Sequence, residues 1–145
     1  MRVTAGTLVS WELSQLVHTY AARIDDRQPV DDLFTEDAVL LAPDPPDVLD
    51  PVREHAGRAA IAAATGSLPP TFHEIVGEVY DVDGDRATGR VACVAHHVVD
   101  PRTDLVWHLR YADSYRRADG RWRFARRELS IDLLETRPLK RARER

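Results

Sequence analysis

The stretch PPTFHEIVGEVYDVDGD, residues 69–85, predicts a β-strand that runs into a tight turn. His73 and Val79 alternate with Glu74 and Glu78, which is the period of two that a strand with one apolar face shows. The Asp-Gly pair that follows is a strong hairpin signal. His73 therefore shares a face with apolar residues. It is either a hydrogen-bonded core histidine or a base that faces a pocket.

The segments on either side of this stretch predict the rest of the fold. Helical periodicity marks residues 7–27 and the alanine-rich segment 57–68, whereas strand patterns mark 86–100, 104–117 and 122–134. Helices followed by antiparallel strands are typical of an α+β fold. We expect N-terminal helices packed on a strongly curved antiparallel or mixed sheet, which together form a cone that encloses a pocket.

Composition limits the classes of function. The chain has 145 residues, enough for one domain, with 24 acidic and 20 basic residues and a net charge of −4. This balance gives no electrostatic footprint for nucleic acid. Cys93 is the single cysteine, and no segment has the pattern of a signal peptide or a membrane span. We expect a cytoplasmic protein with one domain over residues 1–138, a basic tail over 139–145, and neither nucleic acid nor membrane as a partner.

Several polar residues of the first predicted helix and of the predicted strands are candidates for a functional site. Asp25 ends the first helix, where a carboxylate opposes the helix dipole, so it is either a functional group or a solvated loop residue. His96 and His97 are adjacent in a strand and must face opposite ways, and periodicity does not choose between them. Tyr111 and Asp113 interrupt an apolar stripe, as residues that line a cavity would.

The last strand changes its pattern near Arg126 and Arg127, which predicts a bulge there. An inward arginine at this point could bind a carboxylate or an oxyanion. The sequence shows neither the spacing of a metal site nor a glycine-rich phosphate loop, so we expect no metal and no cofactor.

Four segments together resemble the SnoaL-like branch of the NTF2-like superfamily. They are YAARIDDRQPVDDLFTEDAVL (20–40), GRAAI (57–61), FHEIVGEVYDVDGDRATGRV (72–91) and YADSYRRADGRWRFARRE (111–128). Their order and spacing carry a resemblance that covers about residues 8–133. It implies a curved-sheet cone with three helices, in a layout similar to scytalone dehydratase, hexachlorocyclohexane dehydrochlorinase and bile-acid 7α-dehydratase.

The resemblance also implies roles for individual residues. His73 would be a base that Asp25 orients, and His96 would be a second inward histidine. Arg127, with Arg126 as the alternative, would be a pocket arginine. The candidate substrate-binding residues are Tyr20, Tyr111, Asp113 and Arg127.

The implied function is that of a cofactor-independent lyase or isomerase. It would eliminate water or shift a proton in a cyclic, mostly apolar small molecule of polyketide, steroid or aromatic type. The alternative is a non-catalytic binding or interaction module; a third reading, the small subunit of an oxygenase, would need a large partner. The resemblance further implies a homodimer or homotrimer, with Val91, Cys93, Ala95 and Val99 as an outer apolar stripe. The proline-rich segment 43–52 is a candidate lid or a linker.

Overall fold

The computed structural model describes residues 4–43 and 52–143. The elements in chain order are helix α1 (Ala5–Asp25), a 3₁₀ turn (Asp31–Leu33), strands β1 (Phe34–Pro43) and β2 (Val52–Ala56), helix α2 (Arg58–Gly66), and strands β3 (Thr71–Asp83), β4 (Arg86–Asp100), β5 (Thr103–Ala118) and β6 (Arg121–Pro138). The candidate lid lies, apart from its two end residues, outside the described residues.

The six strands form one mixed sheet in the order β2-β1-β6-β5-β4-β3. Only β1 and β6 pair in parallel; the other neighbours are antiparallel. Helix α1 packs on β3, and α2 packs on β1 and β2. The predicted α+β architecture is therefore confirmed, with two α-helices and one 3₁₀ turn in the described ranges where the resemblance implied three helices. Neither of these helices is long and apolar enough to cross a membrane.

Helix α1 delivers one functional residue through its buried stripe. Thr4 caps the helix, since its hydroxyl oxygen accepts a hydrogen bond of 3.2 Å from the Thr7 amide. The side chains that face the sheet lie three or four residues apart, and they are Leu13, Leu16, Val17, Tyr20, Ala21 and Ile24. Burial of each large apolar member stabilises the fold by roughly 1.5–3 kcal/mol. This stripe fixes the rotation of the helix and so places Asp25, its last residue, against β3.

A bulge in β3 changes which side chains face the core. The pairing of β3 with β4 shifts register between Ile75 and Gly77. An extra residue in one strand reverses the alternation beyond it. The prediction that Val79 shares the face of His73 is therefore wrong: Val79 is 68% exposed, and Tyr80 packs against the core instead.

Strand β4 alternates without interruption along its core segment. Val91, Cys93, Ala95 and His97 are all buried, with at most 2% of each exposed. The prediction of an outer apolar stripe is therefore wrong for its first three members, which face the core. Val99, near the end of the strand, is exposed.

The predicted bulge in the last strand is confirmed. Phe124 pairs with Tyr115 and Arg126 pairs with Ser114, so one residue of β6 is extra at this point. The shift lets both Phe124 and Arg127 point to the core. It therefore decides that Arg127, and not Arg126, is the inward arginine.

The close approach of β3, β4 and β5 at Gly89 makes a testable prediction. A Cβ atom at this position would lie 2.6 Å from the hydroxyl oxygen of Tyr115 and 3.0 Å from Cδ1 of Tyr80. Tyr115 is buried and its hydroxyl donates to Asp113 at 2.7 Å, so a shift of the ring would disturb both its packing and this hydrogen bond. We expect Gly89→Ala to lower the free energy of unfolding by about 1–3 kcal/mol in urea titrations. Gly77→Ala is the matched control, since its nearest contact would be an ordinary 3.8 Å. Equal stability of the two variants would contradict the packing described.

Candidate active site

A cavity of about 110 Å³ lies where α1, α2 and all six strands meet. Most of its wall is aliphatic or aromatic, with contributions from Leu40, Trp107, Leu109 and Leu129. The polar side chains on the wall are Tyr20, His55, Thr65, Ser67, His73, His97 and Tyr111. His55 was not predicted, because β2 follows a proline-rich segment and shows no strand pattern of its own.

His73 and Asp25 form a hydrogen-bonded pair at the cavity wall. His73 Nδ1 lies 2.6 Å from Asp25 Oδ1, and the His73 amide donates to Oδ2 at 2.9 Å. The Thr71 hydroxyl donates to Oδ1 at 2.8 Å. The side chains of His73 and Asp25 are only 6% and 15% exposed. The start of β3 thus supplies three donors to one carboxylate, which offsets the adverse helix dipole.

These contacts decide the ionisation of Asp25. Burial alone would raise the pKa of Asp25, but the hydrogen bonds from His73 and Thr71 outweigh burial and lower the pKa. Asp25 is therefore a carboxylate and accepts the proton of His73 Nδ1. The basic nitrogen Nε2 is the one left for the cavity.

His97 is the second histidine of the cavity. It is 2% exposed, its ring lies 4.3 Å from the ring of Trp107, and its Nδ1 donates to the Leu105 carbonyl at 3.1 Å. Burial, with a smaller contribution from the nearby His73, lowers the pKa of His97 to about 4. His97 is thus neutral at physiological pH, and its Nε2 is a hydrogen-bond acceptor.

His96 lies on the opposite face of the sheet. Its Nδ1 contacts Asp104 Oδ2 at 2.7 Å and its Nε2 contacts Glu74 Oε2 at 2.6 Å. Burial lowers the pKa of His96, but the two carboxylates outweigh it, so the pKa is raised. The prediction of His96 as the inward histidine is therefore wrong, because the unbroken alternation of β4 turns His97 inward.

Asp113 and Arg127 lie behind the cavity wall. Both side chains are fully buried, and Arg127 Nε and Nη2 donate to the Asp113 carboxylate at 3.0 and 3.3 Å. The Arg127 guanidinium stacks on the rings of Tyr111 and Tyr20, with its carbon 3.6 and 4.4 Å from their centres. Tyr20 and Tyr111 thus line the cavity as predicted, while Asp113 and Arg127 do not. These two are corrected from substrate contacts to a buried pair that supports the tyrosines.

No other group in the described ranges offers a metal site or a reactive thiol. Residues 4–43 and 52–143 contain no cluster of three His, Cys, Asp or Glu side chains that could hold a metal ion. Cys93 is buried, and burial raises its pKa to about 12, so it is a thiol and not a thiolate nucleophile. The polar side chains that line the cavity are groups that transfer protons and form hydrogen bonds.

The pKa values of the two adjacent histidines should be shifted in opposite directions. We expect His96 to keep its second proton above the ordinary pKa of about 6.5, whereas His97 stays neutral until the pH falls to about 4. Long-range proton–nitrogen NMR spectra of the histidine side chains, recorded across pH, measure both values and the tautomer of His97. A His97 that gains its proton before His96 would contradict this arrangement of faces.

Comparison with known proteins gives a family and a set of similar folds. The model of the SnoaL-like domain matches residues 8–128. The comparison with curated proteins gives no match. A provisionally assigned scytalone dehydratase from Novosphingobium aromaticivorans has a TM-score of 0.75 and 23% identity, covering 95% of this chain and 97% of that one. A hexachlorocyclohexane dehydrochlorinase, LinA type 2, has a TM-score of 0.75 and 17% identity, covering 91% and 89%.

A third similar structure comes from a different class of protein. A provisionally assigned calcium/calmodulin-dependent protein kinase II association domain from Xanthomonas campestris has a TM-score of 0.69 and 24% identity, covering 83% of this chain and 85% of that one. At these identities the structural likeness shows a shared fold alone. The family match covers most of the sequence. The chain therefore belongs to the SnoaL-like domain family, which confirms the resemblance of its sequence segments to that family.

Proposed function

We propose that this protein is a cofactor-independent lyase or isomerase that uses His73 and Asp25 as an acid/base dyad. The observation that carries the proposal is the 2.6 Å contact between His73 Nδ1 and Asp25 Oδ1 at the wall of an apolar cavity. An oriented histidine with an unprotonated Nε2 is suited to remove a proton from a carbon acid. The carboxylate holds the productive tautomer and stabilises the imidazolium that forms.

The proposed reaction begins with proton transfer from substrate carbon to His73 Nε2. The electron pair of the C–H bond then forms a C=C bond or an enolate. In elimination, hydroxide leaves and takes the proton of the His73 imidazolium to become water; in isomerisation, the imidazolium returns its proton to another carbon. Asp25 remains ionised throughout, because its three donors stabilise the charged form.

The other polar groups of the cavity wall form hydrogen bonds that stabilise charge on the substrate oxygens. Tyr111 has no hydrogen-bond partner for its hydroxyl in the described part of the chain, and it lines the cavity. Such a phenol can donate to a developing enolate oxygen. His97, neutral at physiological pH, accepts a hydrogen bond from a substrate hydroxyl and takes the place in the site that the sequence analysis gave to His96.

The cavity favours a compact cyclic substrate. Its volume of about 110 Å³ is of the order of a cavity of about 150 Å³ that binds benzene. A single ring with one or two oxygens fits it better than a fused steroid skeleton. The aliphatic and aromatic wall selects an apolar ring, and Tyr20, Tyr111 and His97 are available to the oxygens.

Variants of the dyad test the proposal. We expect His73→Ala to lower turnover by about 10²–10⁴-fold, because it removes the general base, and Asp25→Asn to lower it through the loss of the carboxylate. The assay follows deuterium exchange and dehydration of single-ring hydroxy-ketones by NMR, so that it detects both proton shift and elimination. His96→Gln is the matched control, since this histidine lies on the opposite face of the sheet.

The result also separates catalysis from binding. Asp25 ties the end of α1 to β3 through Thr71 and the His73 amide, and a non-catalytic ligand-binding module would use the same tie. In such a module the variants would lower thermal stability alone. Full exchange activity in a folded His73→Ala protein would overturn the role of His73 as the base, whereas a wild type without exchange or dehydration would leave the binding module.

We also propose that the protein self-associates, as a homodimer or homotrimer, through exposed apolar side chains of its sheet. Phe72, Val76, Val79 and Leu133 are each at least 57% exposed. Exposed apolar groups of this size are typical of interaction sites. Analytical ultracentrifugation should show an oligomer that Val79→Asp weakens, while Trp11→Asp, at an exposed residue of α1, has no effect. A monomeric wild type would contradict this.

A buried lone cysteine supports a cytoplasmic location for the assembly.

A further inference from the structure

A second cavity lies beside the candidate active site. It has a volume of about 230 Å³ and occupies the space between the residues that follow α1 and the C-terminal end of α2. Ile24, Thr65 and Leu68 belong to the walls of both cavities. We call this second space the vestibule. The vestibule and the chamber that holds His73 therefore share part of their walls.

Among the described residues, the vestibule is lined by one charged side chain, that of Arg27. Gln28 lies beside it, both residues are exposed, and no aspartate or glutamate of the described ranges lines this space. Arg27 makes no side-chain hydrogen bond or ion pair with any residue of the ranges 4–43 and 52–143. By contrast, Arg23, one turn earlier, is paired with Asp32 at 2.6 Å and does not line the vestibule. An unpaired guanidinium on the wall of a cavity is a ready partner for an anionic oxygen.

The backbone conformation fixes where this arginine lies. α1 ends at Asp25, and Arg27 has φ of +57°, which is the left-handed conformation that glycine usually supplies after a helix. The Arg27 amide bonds the Ile24 carbonyl at 3.1 Å and the Gln28 amide bonds the Arg23 carbonyl at 2.7 Å. The helix terminus thus holds the Arg27 backbone firmly beside the vestibule. A glycine would satisfy the turn but would leave the vestibule without a charge.

We propose that the vestibule is an anion subsite in which Arg27 binds a carboxylate or phosphate carried on a short chain by the ring that occupies the inner cavity. The ring would lie against His73 and Tyr111, and the chain would pass between Ile24 and the Thr65–Leu68 segment. This inference rests on the proposed function for the identity of the inner ring as substrate. It adds that the substrate is an anionic derivative of a single-ring compound.

Two nearly isosteric probes test the subsite by binding alone. They are 3-phenylpropanoate and its neutral amide, titrated by calorimetry into wild type and variants. Wild type should bind the carboxylate about tenfold more tightly than the amide, which corresponds to one partly solvated ion pair of about 1.4 kcal/mol. The preference should shrink as salt rises from about 0.05 to about 0.5 M, since an ion pair at an open cavity is screened. Arg27→Gln should abolish the preference and leave amide binding unchanged.

The control variant and the second probe sharpen the result. Arg23→Gln removes a neighbouring arginine that is already paired, so it should keep the tenfold preference. Phenethyl phosphate distinguishes the two sources of the anion: tighter binding than the carboxylate assigns the subsite to a phosphate, and weaker binding assigns it to a carboxylate. The inference is overturned if the preference survives in Arg27→Gln, if wild type shows none, or if no probe binds at about 10 mM.

Failure of this inference is distinguishable from failure of the proposed function. His73→Ala should keep the full preference for the carboxylate, because His73 does not line the vestibule. If that variant also keeps deuterium exchange, the proposed role of His73 as the base fails while the anion subsite stands. If Arg27→Gln keeps the preference while His73→Ala loses exchange, the subsite fails and the enzyme proposal stands.

Discussion

The Asp25 carboxylate connects the first helix to the sheet, and the geometry of the cavity follows from that connection. Three donors of β3 converge on it, two from His73 and one from Thr71. Without these donors, nothing would offset the unfavourable interaction between the carboxylate and the dipole at the C-terminal end of this 21-residue helix. With them the histidine ring has one orientation and one tautomer. The same contacts therefore close one end of the fold and set the basic nitrogen of the site.

The residue pattern left the roles of Asp25 and His73 open, and the resemblance to the SnoaL-like family paired them; the structure brings the two side chains within 2.6 Å of each other. The residue pattern could not choose between His96 and His97, since adjacent strand residues always face opposite ways and an alternation of small apolar residues fits either phase. The bulge near Gly77 turns the side chain of Val79 to the exposed face, and the amino-acid composition of this stretch does not indicate a bulge. β2 and His55 were missed because a short edge strand after prolines has no periodicity to detect.

The buried Asp113–Arg127 pair shows where residue type alone misleads. Tyrosine, aspartate and arginine along two neighbouring strands predicted a polar pocket, yet the structure pairs the two charges with one another and covers them with Tyr20, Tyr111 and Phe124. A buried pair is weak as a source of stability, but removal of either partner leaves an uncompensated charge that costs about 3–5 kcal/mol. The pair thus supports two aromatic walls of the cavity from behind, and of these residues only Tyr20 and Tyr111 line the cavity.

The two adjacent histidines on opposite faces also make the stability of the fold depend on pH. The pKa of His96 is raised above that of the unfolded chain, so its contribution to stability is full below about 6.5 and is lost as the pH rises through the raised value. The pKa of His97 is lowered to about 4 in the folded chain. Unfolding therefore takes up a proton at pH values below about 6.5, and the free energy of unfolding decreases as the pH is lowered from about 6.5 to about 4. Asp25 adds a loss at still lower pH, because its lowered pKa makes its contribution disappear as the carboxylate gains a proton. The burial that keeps His97 neutral near pH 7 therefore lowers stability in acid, and the raised pKa of His96 on the opposite face partly offsets that loss in mildly acidic conditions.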